Sequence, residues 1–111
     1  MDLYSCIIQE GQAADRKRDA LEAGLRWLGQ EFFGDAPEAE VGIRWTRHAP
    51  GWAWTAGEPS TSSIVVRSVP VGFDNDRREE YLHAVVAFWA ETTGCHVNEI
   101  VATAFDGPIA V

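Results

Sequence analysis

The hydrophobic and polar positions of this chain repeat one pattern twice. In each copy a short apolar run is followed by a glycine, a long stretch with helical spacing of apolar residues, a second glycine and another apolar run. The two glycines of a copy are roughly 22 or 23 residues apart. The pattern predicts helices that end at about Phe32 and Thr93, and strands at Leu3–Ile8, Val41–Arg47, Ile64–Val71 and Glu99–Phe105.

A tandem β-α-β arrangement restricts the fold to few possibilities. Parallel strands joined through a helix cross over with a right hand. We therefore expect an α/β (α+β) fold in which two helices cover one face of a four-stranded mixed sheet. Residues 1–111 are expected to form one domain with repeats at about 1–55 and 60–111, joined by an irregular segment, Ala49–Pro59, rich in turn formers.

The second face of this sheet also needs a cover. Its strands are too apolar to face water, which favours a homotrimer or another closed oligomer. The alternative is a ferredoxin-like domain, whose sheet is antiparallel and which often binds ligands or partners without catalysis.

Charge and composition narrow the possible partners. The 111 residues carry a net charge of −8, which argues against nucleic acid and anionic membranes. The sequence shows no signal peptide and no apolar stretch of membrane-spanning length, and it has two cysteines, Cys6 and Cys95, so a reduced, cytoplasmic location is expected. The histidines lack metal-ligand spacing and the chain has no phosphate-binding glycine loop, so neither a metal nor a cofactor is expected.

The order and spacing of short motifs along almost the whole chain resemble the tautomerase superfamily, especially its longer branch with cis-3-chloroacrylic acid dehalogenase and macrophage migration inhibitory factor. The resemblance implies a β-α-β duplication, a trimer, and acid–base chemistry next to a carbonyl at an amino-terminal proline. The motifs are Leu3-Tyr4, Val41-Gly42-Ile43, Ala49-Pro50-Gly51-Trp52, Gly57-Glu58-Pro59-Ser60, Val71-Gly72, Thr93-Gly94 and Asn98-Glu99-Ile100-Val101 leading to Asp106.

The positions that carry that chemistry differ here. Asp2 stands where the family has its proline, and Gly29 stands near the place of a histidine late in the first helix. The family's arginines after the third strand, which bind a substrate carboxylate, have no counterpart in residues 69–74. Thr103 approximately matches a tyrosine in the last strand, and Asp106 agrees with the family's acidic residue. The resemblance implies a catalytic role for Asp106 and a substrate-binding role for Thr103. A standard proline-based tautomerase is therefore not expected.

Two interpretations follow from the missing proline. In the first, a carboxylate at Asp2, buried between subunits, or the α-amine of Met1 acts as the base. Arg44, Arg47 or Arg67 then anchors an anionic substrate. The reaction would be tautomerisation or isomerisation of a small carbonyl or enol compound, or a related hydration or decarboxylation. In the second, the scaffold persists without catalysis, and the chain is a ligand-binding or assembly subunit.

Trp52 and Trp54 are the aromatic residues most suggestive of a binding role. They lie in the connection between the copies, and alternate residues of an extended segment face the same way. Both rings are therefore expected to line one pocket wall, where they would bind an apolar carbonyl compound, or one subunit interface.

Overall fold

The mixed four-stranded sheet predicted from the two copies is present. A computed structural model describes residues 2–35 and 41–108. The elements in chain order are β1 (Asp2–Gln9), α1 (Ala13–Arg16), α2 (Arg18–Phe33), β2 (Gly42–His48), β3 (Trp54–Thr55), β4 (Glu58–Pro59), β5 (Ser63–Val69), α3 (Asn75–Thr93) and β6 (Ile100–Asp106), with a short 3-10 turn at Val97–Glu99.

Each copy forms a parallel strand pair, and the two copies meet antiparallel. The strand order is β2-β1-β5-β6, with β1 parallel to β2 and β5 parallel to β6. The central pair β1–β5 is antiparallel, with Tyr4 opposite Arg67 and Ile7 opposite Ile64. The two parallel pairs exclude the antiparallel sheet of the ferredoxin-like alternative.

The core lies between the sheet and the two long helices. Alternate residues of β1 (Tyr4, Cys6 and Ile8) are fully buried on the helix-covered face. They pack against the buried stripes of α2 and α3, which include Leu21, Leu25, Leu28, Tyr81, Val85 and Trp89. The intervening β1 residues are only partly buried because they face the opposite side of the sheet, where no helix packs.

The element ends agree with the sequence prediction to within about two residues. Gly34 and Gly94 end the helices as predicted, and both are in the left-handed conformation that favours glycine. Two predictions need correction: the first helix breaks at Lys17 into α1 and α2, and the segment predicted to be irregular contains the β3–β4 hairpin. In the described part of the chain, the helices are all too short or too polar to cross a membrane.

Candidate active site

A cavity of about 520 Å³ lies at the amino-terminal end of β1. Because β1 and β5 are antiparallel, the start of β1 lies beside the end of β5, and the cavity is lined by Leu3 from one strand and Val69 and Val71 from the other. Its polar side is formed by Asp35 and Arg67. The fold therefore places a largely apolar pocket with a charged pair next to the residue predicted to replace the proline.

The charged pair is a buried, bidentate ion pair. Arg67 donates from Nη1 to Oδ2 of Asp35 at 2.5 Å and from Nη2 to Oδ1 at 2.9 Å, and its Nε donates to the Ser68 carbonyl at 2.7 Å. The two side chains are only 3% and 8% exposed. The guanidinium also lies 4.3 Å from the ring centre of Phe33 and 5.0 Å from that of Tyr4. Every side of Arg67 therefore has a partner within the chain.

The protonation of Arg67 follows from these contacts. Burial by itself would lower the pKa of Arg67, but hydrogen bonding to Asp35 and the nearby Tyr4 phenol outweigh it, and the pKa is raised. The guanidinium is thus a permanent cation that needs the Asp35 carboxylate beside it.

Gly29 makes room for this pair. A Cβ atom on Gly29 would lie 2.2 Å from Oδ2 of Asp35 and 3.1 Å from Nη1 of Arg67. The left-handed Gly34 turns the chain back after α2, so that the Asp35 backbone N–H bonds to the Gly29 carbonyl at 3.3 Å. The space of a side chain at position 29, near the family's histidine, is therefore occupied by the Asp35 carboxylate.

Asp2 faces away from this pair, toward the edge strand β2. Arg44 donates to Oδ2 of Asp2 from Nη2 at 3.2 Å and from Nε at 3.4 Å, and both side chains are about half-exposed. Arg47 on the same strand pairs with Asp15 at 3.0 Å. Met1, the other predicted catalytic group, lies outside the described residues. The structure thus brings Asp2 and Arg44 together but gives each the other as a partner.

Asp106 lies near the same end of the sheet in a different ion pair. It accepts hydrogen bonds from Arg78 at 2.7 Å and from the Gly72 N–H at 3.4 Å. The bond from Arg78, followed by that from Gly72, holds the pKa of the Asp106 carboxyl below its usual range. Thr103 is exposed in the middle of β6, opposite Val66. Asp106 is therefore an ionised acceptor, and Thr103 lies about three residues farther from this end.

Trp52 and Trp54 line a second cavity, of about 630 Å³, on the face of the sheet that the helices leave open. His48 and Ile7 also line it, so it lies roughly 13 Å along β1 from Leu3. The indoles are 74% and 61% exposed. Both rings line this cavity, which the structure separates from the amino-terminal cavity. Their role in binding a ligand or a second subunit stays a prediction.

Sequence reasoning missed Asp35. Two signals pointed toward it: an arginine inside a buried strand needs a counter-charge, and a glycine inside a helix leaves space. Asp35 directly follows the predicted helix stop at Gly34, where a side chain can turn back along the helix.

Comparison with solved structures identifies the fold of the chain, whereas comparison by sequence finds no match. No protein-family model matches the chain, and no curated protein matches it by sequence. The fold is that of solved structures of the cis-3-chloroacrylic acid dehalogenase family and of fused 4-OT, which confirms the tautomerase-like fold that the resemblance implied.

Three solved structures illustrate the similarity. Native Ps01740 is 25% identical, with a TM-score of 0.84 and coverage of 95% of this chain and 93% of that chain. N1, a member of the cis-3-chloroacrylic acid dehalogenase family, is 13% identical, with a TM-score of 0.84 and coverage of 97% and 76%. Native fused 4-OT is 15% identical, with a TM-score of 0.80 and coverage of 97% and 87%.

Proposed function

We propose that the protein catalyses proton transfer next to the carbonyl of a small carbonyl or enol compound at the amino-terminal end of β1. The reaction is a tautomerisation or isomerisation, or a related hydration or decarboxylation. The observation that carries the proposal is the cavity beside Leu3, because a tautomerase fold here presents an apolar pocket with a buried ion pair next to its first residues. An apolar pocket strengthens electrostatic effects on a reacting carbonyl.

The groups proposed to move the proton are those at the chain start. The carboxylate of Asp2 is one base, and the α-amine of Met1 is the other, since such amines titrate at about 7.7–8.0. Arg44 uses two of its N–H groups on Asp2 and has others for the oxygen of an enolate. Asp106 is proposed to hold the Gly72 turn at the pocket rim through its hydrogen bond to that backbone N–H.

The proposed assembly is a homotrimer of this chain. Its support is the apolar face of the sheet left without a helix, together with fused 4-OT structures described as symmetric and asymmetric trimers. Mass by light scattering tests the assembly, and a monomer or dimer would contradict it.

The catalytic proposal is tested by proton exchange. Phenylpyruvate and phenylacetone are incubated in D₂O with the protein, and NMR follows deuterium uptake at the methylene carbon of each. Asp2→Asn, or a blocked Met1 amine, should slow exchange about 100-fold, as loss of a general base does. Asp76→Asn, on an exposed residue of α3, is the matched control and should leave the rate unchanged. Full activity in both amino-terminal variants would exclude the amino-terminal base.

A second candidate function is a non-catalytic binding or assembly subunit. The specific observation in its favour is that Arg44 and Arg67 are each already paired with a carboxylate of the chain, Asp2 and Asp35 respectively. Binding of phenylacetone without any proton exchange would select this function. The α-protons of the bound ligand would then exchange at the rate measured in buffer.

A further inference from the structure

The arginines near the amino-terminal cavity share one property: each is paired with a carboxylate. Arg67 binds Asp35 in the cavity wall, Arg44 binds Asp2 beside it, and Arg78 binds Asp106 at the same end of the sheet. The two oxygens of Asp35 meet two nitrogens of Arg67 in the bidentate geometry with which an arginine holds the carboxylate of a ligand. Asp35 thus occupies the position on Arg67 at which the carboxylate of a substrate would bind.

An anionic ligand entering this cavity has little to bind. The walls contributed by Leu3, Val69, Pro70 and Val71 are apolar, and the charge of Arg67 is already balanced. Moving a carboxylate from water into such surroundings without a cationic partner is unfavourable. The net charge of −8 on the chain adds long-range repulsion. An uncharged carbonyl compound pays neither the cost of burying an unpaired charge nor that of long-range repulsion, and its contact with the apolar walls favours binding.

We infer that the amino-terminal cavity selects uncharged carbonyl compounds over carboxylates, and that Asp35 sets this selectivity by occupying Arg67 in place of a ligand carboxylate. Gly29 is required for this placement of Asp35, because a Cβ atom at position 29 would lie 2.2 Å from Oδ2 of Asp35. The inference rests on the proposed function for the use of this cavity as the substrate site, and it names the substrate class.

The test compares two ligands of nearly equal shape, phenylacetamide and phenylacetate, by NMR titration of the wild-type protein. Neither can be turned over, so binding is measured apart from catalysis. We expect the amide to bind about tenfold more tightly or more, and shifts of the Leu3 and Val71 methyl signals should mark the site. Equal or tighter binding of phenylacetate would overturn the inference, as would binding of neither ligand up to its solubility limit.

Removing the charge of Asp35 should reverse the preference. In Asp35→Asn the size of the side chain is kept but Arg67 loses its counter-charge, so phenylacetate should gain about tenfold relative to phenylacetamide. The double variant Asp35→Asn/Arg67→Met should lose that gain, and Asp76→Asn should keep the wild-type ratio. An unchanged ratio in a folded Asp35→Asn protein contradicts the role of Asp35, and if that variant does not fold, the wild-type comparison still decides.

The outcomes also separate this inference from the proposed catalysis. Amide-selective binding without deuterium exchange into phenylacetone would support the selectivity and reject the catalysis. Exchange into phenylpyruvate as fast as into phenylacetone, with tight phenylacetate binding, would support the catalysis and reject the selectivity.

Discussion

Replacing Gly29 by alanine tests the buried ion pair, because sequence and structure predict opposite signs for the change in stability. Gly29 lies in the interior of α2, four residues before its end. Alanine is the better helix former by about 0.8–1.0 kcal/mol, so helix propensity alone predicts that Gly29→Ala stabilises the protein.

The structure predicts a loss that exceeds this gain. The new Cβ atom would lie 2.2 Å from Oδ2 of Asp35, so the carboxylate must leave its place on Arg67. Breaking a buried ion pair so that one charge has no partner costs about 3–5 kcal/mol. After subtraction of the helix gain, Gly29→Ala should lower the free energy of unfolding by about 2–4 kcal/mol.

Urea unfolding at fixed protein concentration, followed by circular dichroism, measures this change. Ala23→Gly, at an exposed position of the same helix, calibrates the helix term and should cost about 1 kcal/mol. In an Asp35→Ala background the obstructing carboxylate is gone, so Gly29→Ala should there be neutral or stabilising. A Gly29→Ala protein as stable as the wild type would show that Asp35 does not occupy this space.

Two further predictions concern single titratable groups. Burial raises the pKa of the Cys6 thiol to about 12, whereas Cys95 is half-buried, so a thiol reagent at about pH 8 should modify one thiol per native chain and two after unfolding. Rapid modification of two native thiols would contradict the burial of Cys6. For Asp106, whose pKa is lowered by Arg78, the stabilising contribution is complete above the unfolded value of about 3.9 and is lost as pH falls through the lower folded value. Between about pH 5 and pH 3, Asp106→Asn should therefore lose less stability to urea than the wild type, and equal losses would argue against the ion pair.

The sequence predicted the fold well because its signals are local and periodic. Short apolar runs located all four strands of the sheet, and the glycines located the helix ends. The strand predicted to reach Val71 ends at Val69 because Pro70 has no N–H to continue the ladder. The β3–β4 hairpin was missed because its strands are two residues long, too short to show alternation. Its turn has positive φ at Ala56 as well as Gly57, which alanine rarely adopts.

The candidate site was predicted less well because its pairings join distant parts of the chain. The sequence predicts that Arg67 anchors a substrate anion. Its carboxylate partner in the structure, Asp35, is 32 residues away and belongs to the other copy. Asp2 and Arg44 are 42 residues apart. The turn after α2 brings Asp35 to Arg67, and the pairing of β1 with β2 brings Asp2 close to Arg44. No local pattern encodes which charges then meet. That Trp52 and Trp54 line the same cavity depends on residues of one segment only, so no distant partner was needed to expect it.

One departure of this chain from the tautomerase pattern, Gly29, is physically coupled to Asp35 and Arg67. A helix residue without a side chain at Gly29 provides the space, the Asp35 carboxylate fills it, and Arg67 is neutralised as a result. Restoring a histidine at position 29 alone would therefore displace Asp35 and leave a buried cation, which would destabilise the protein before any chemistry returned. A useful reversion must change positions 29 and 35 together. Because of this coupling, the charge of Arg67 is balanced by Asp35 within the chain, and this balance depends on the glycine at position 29.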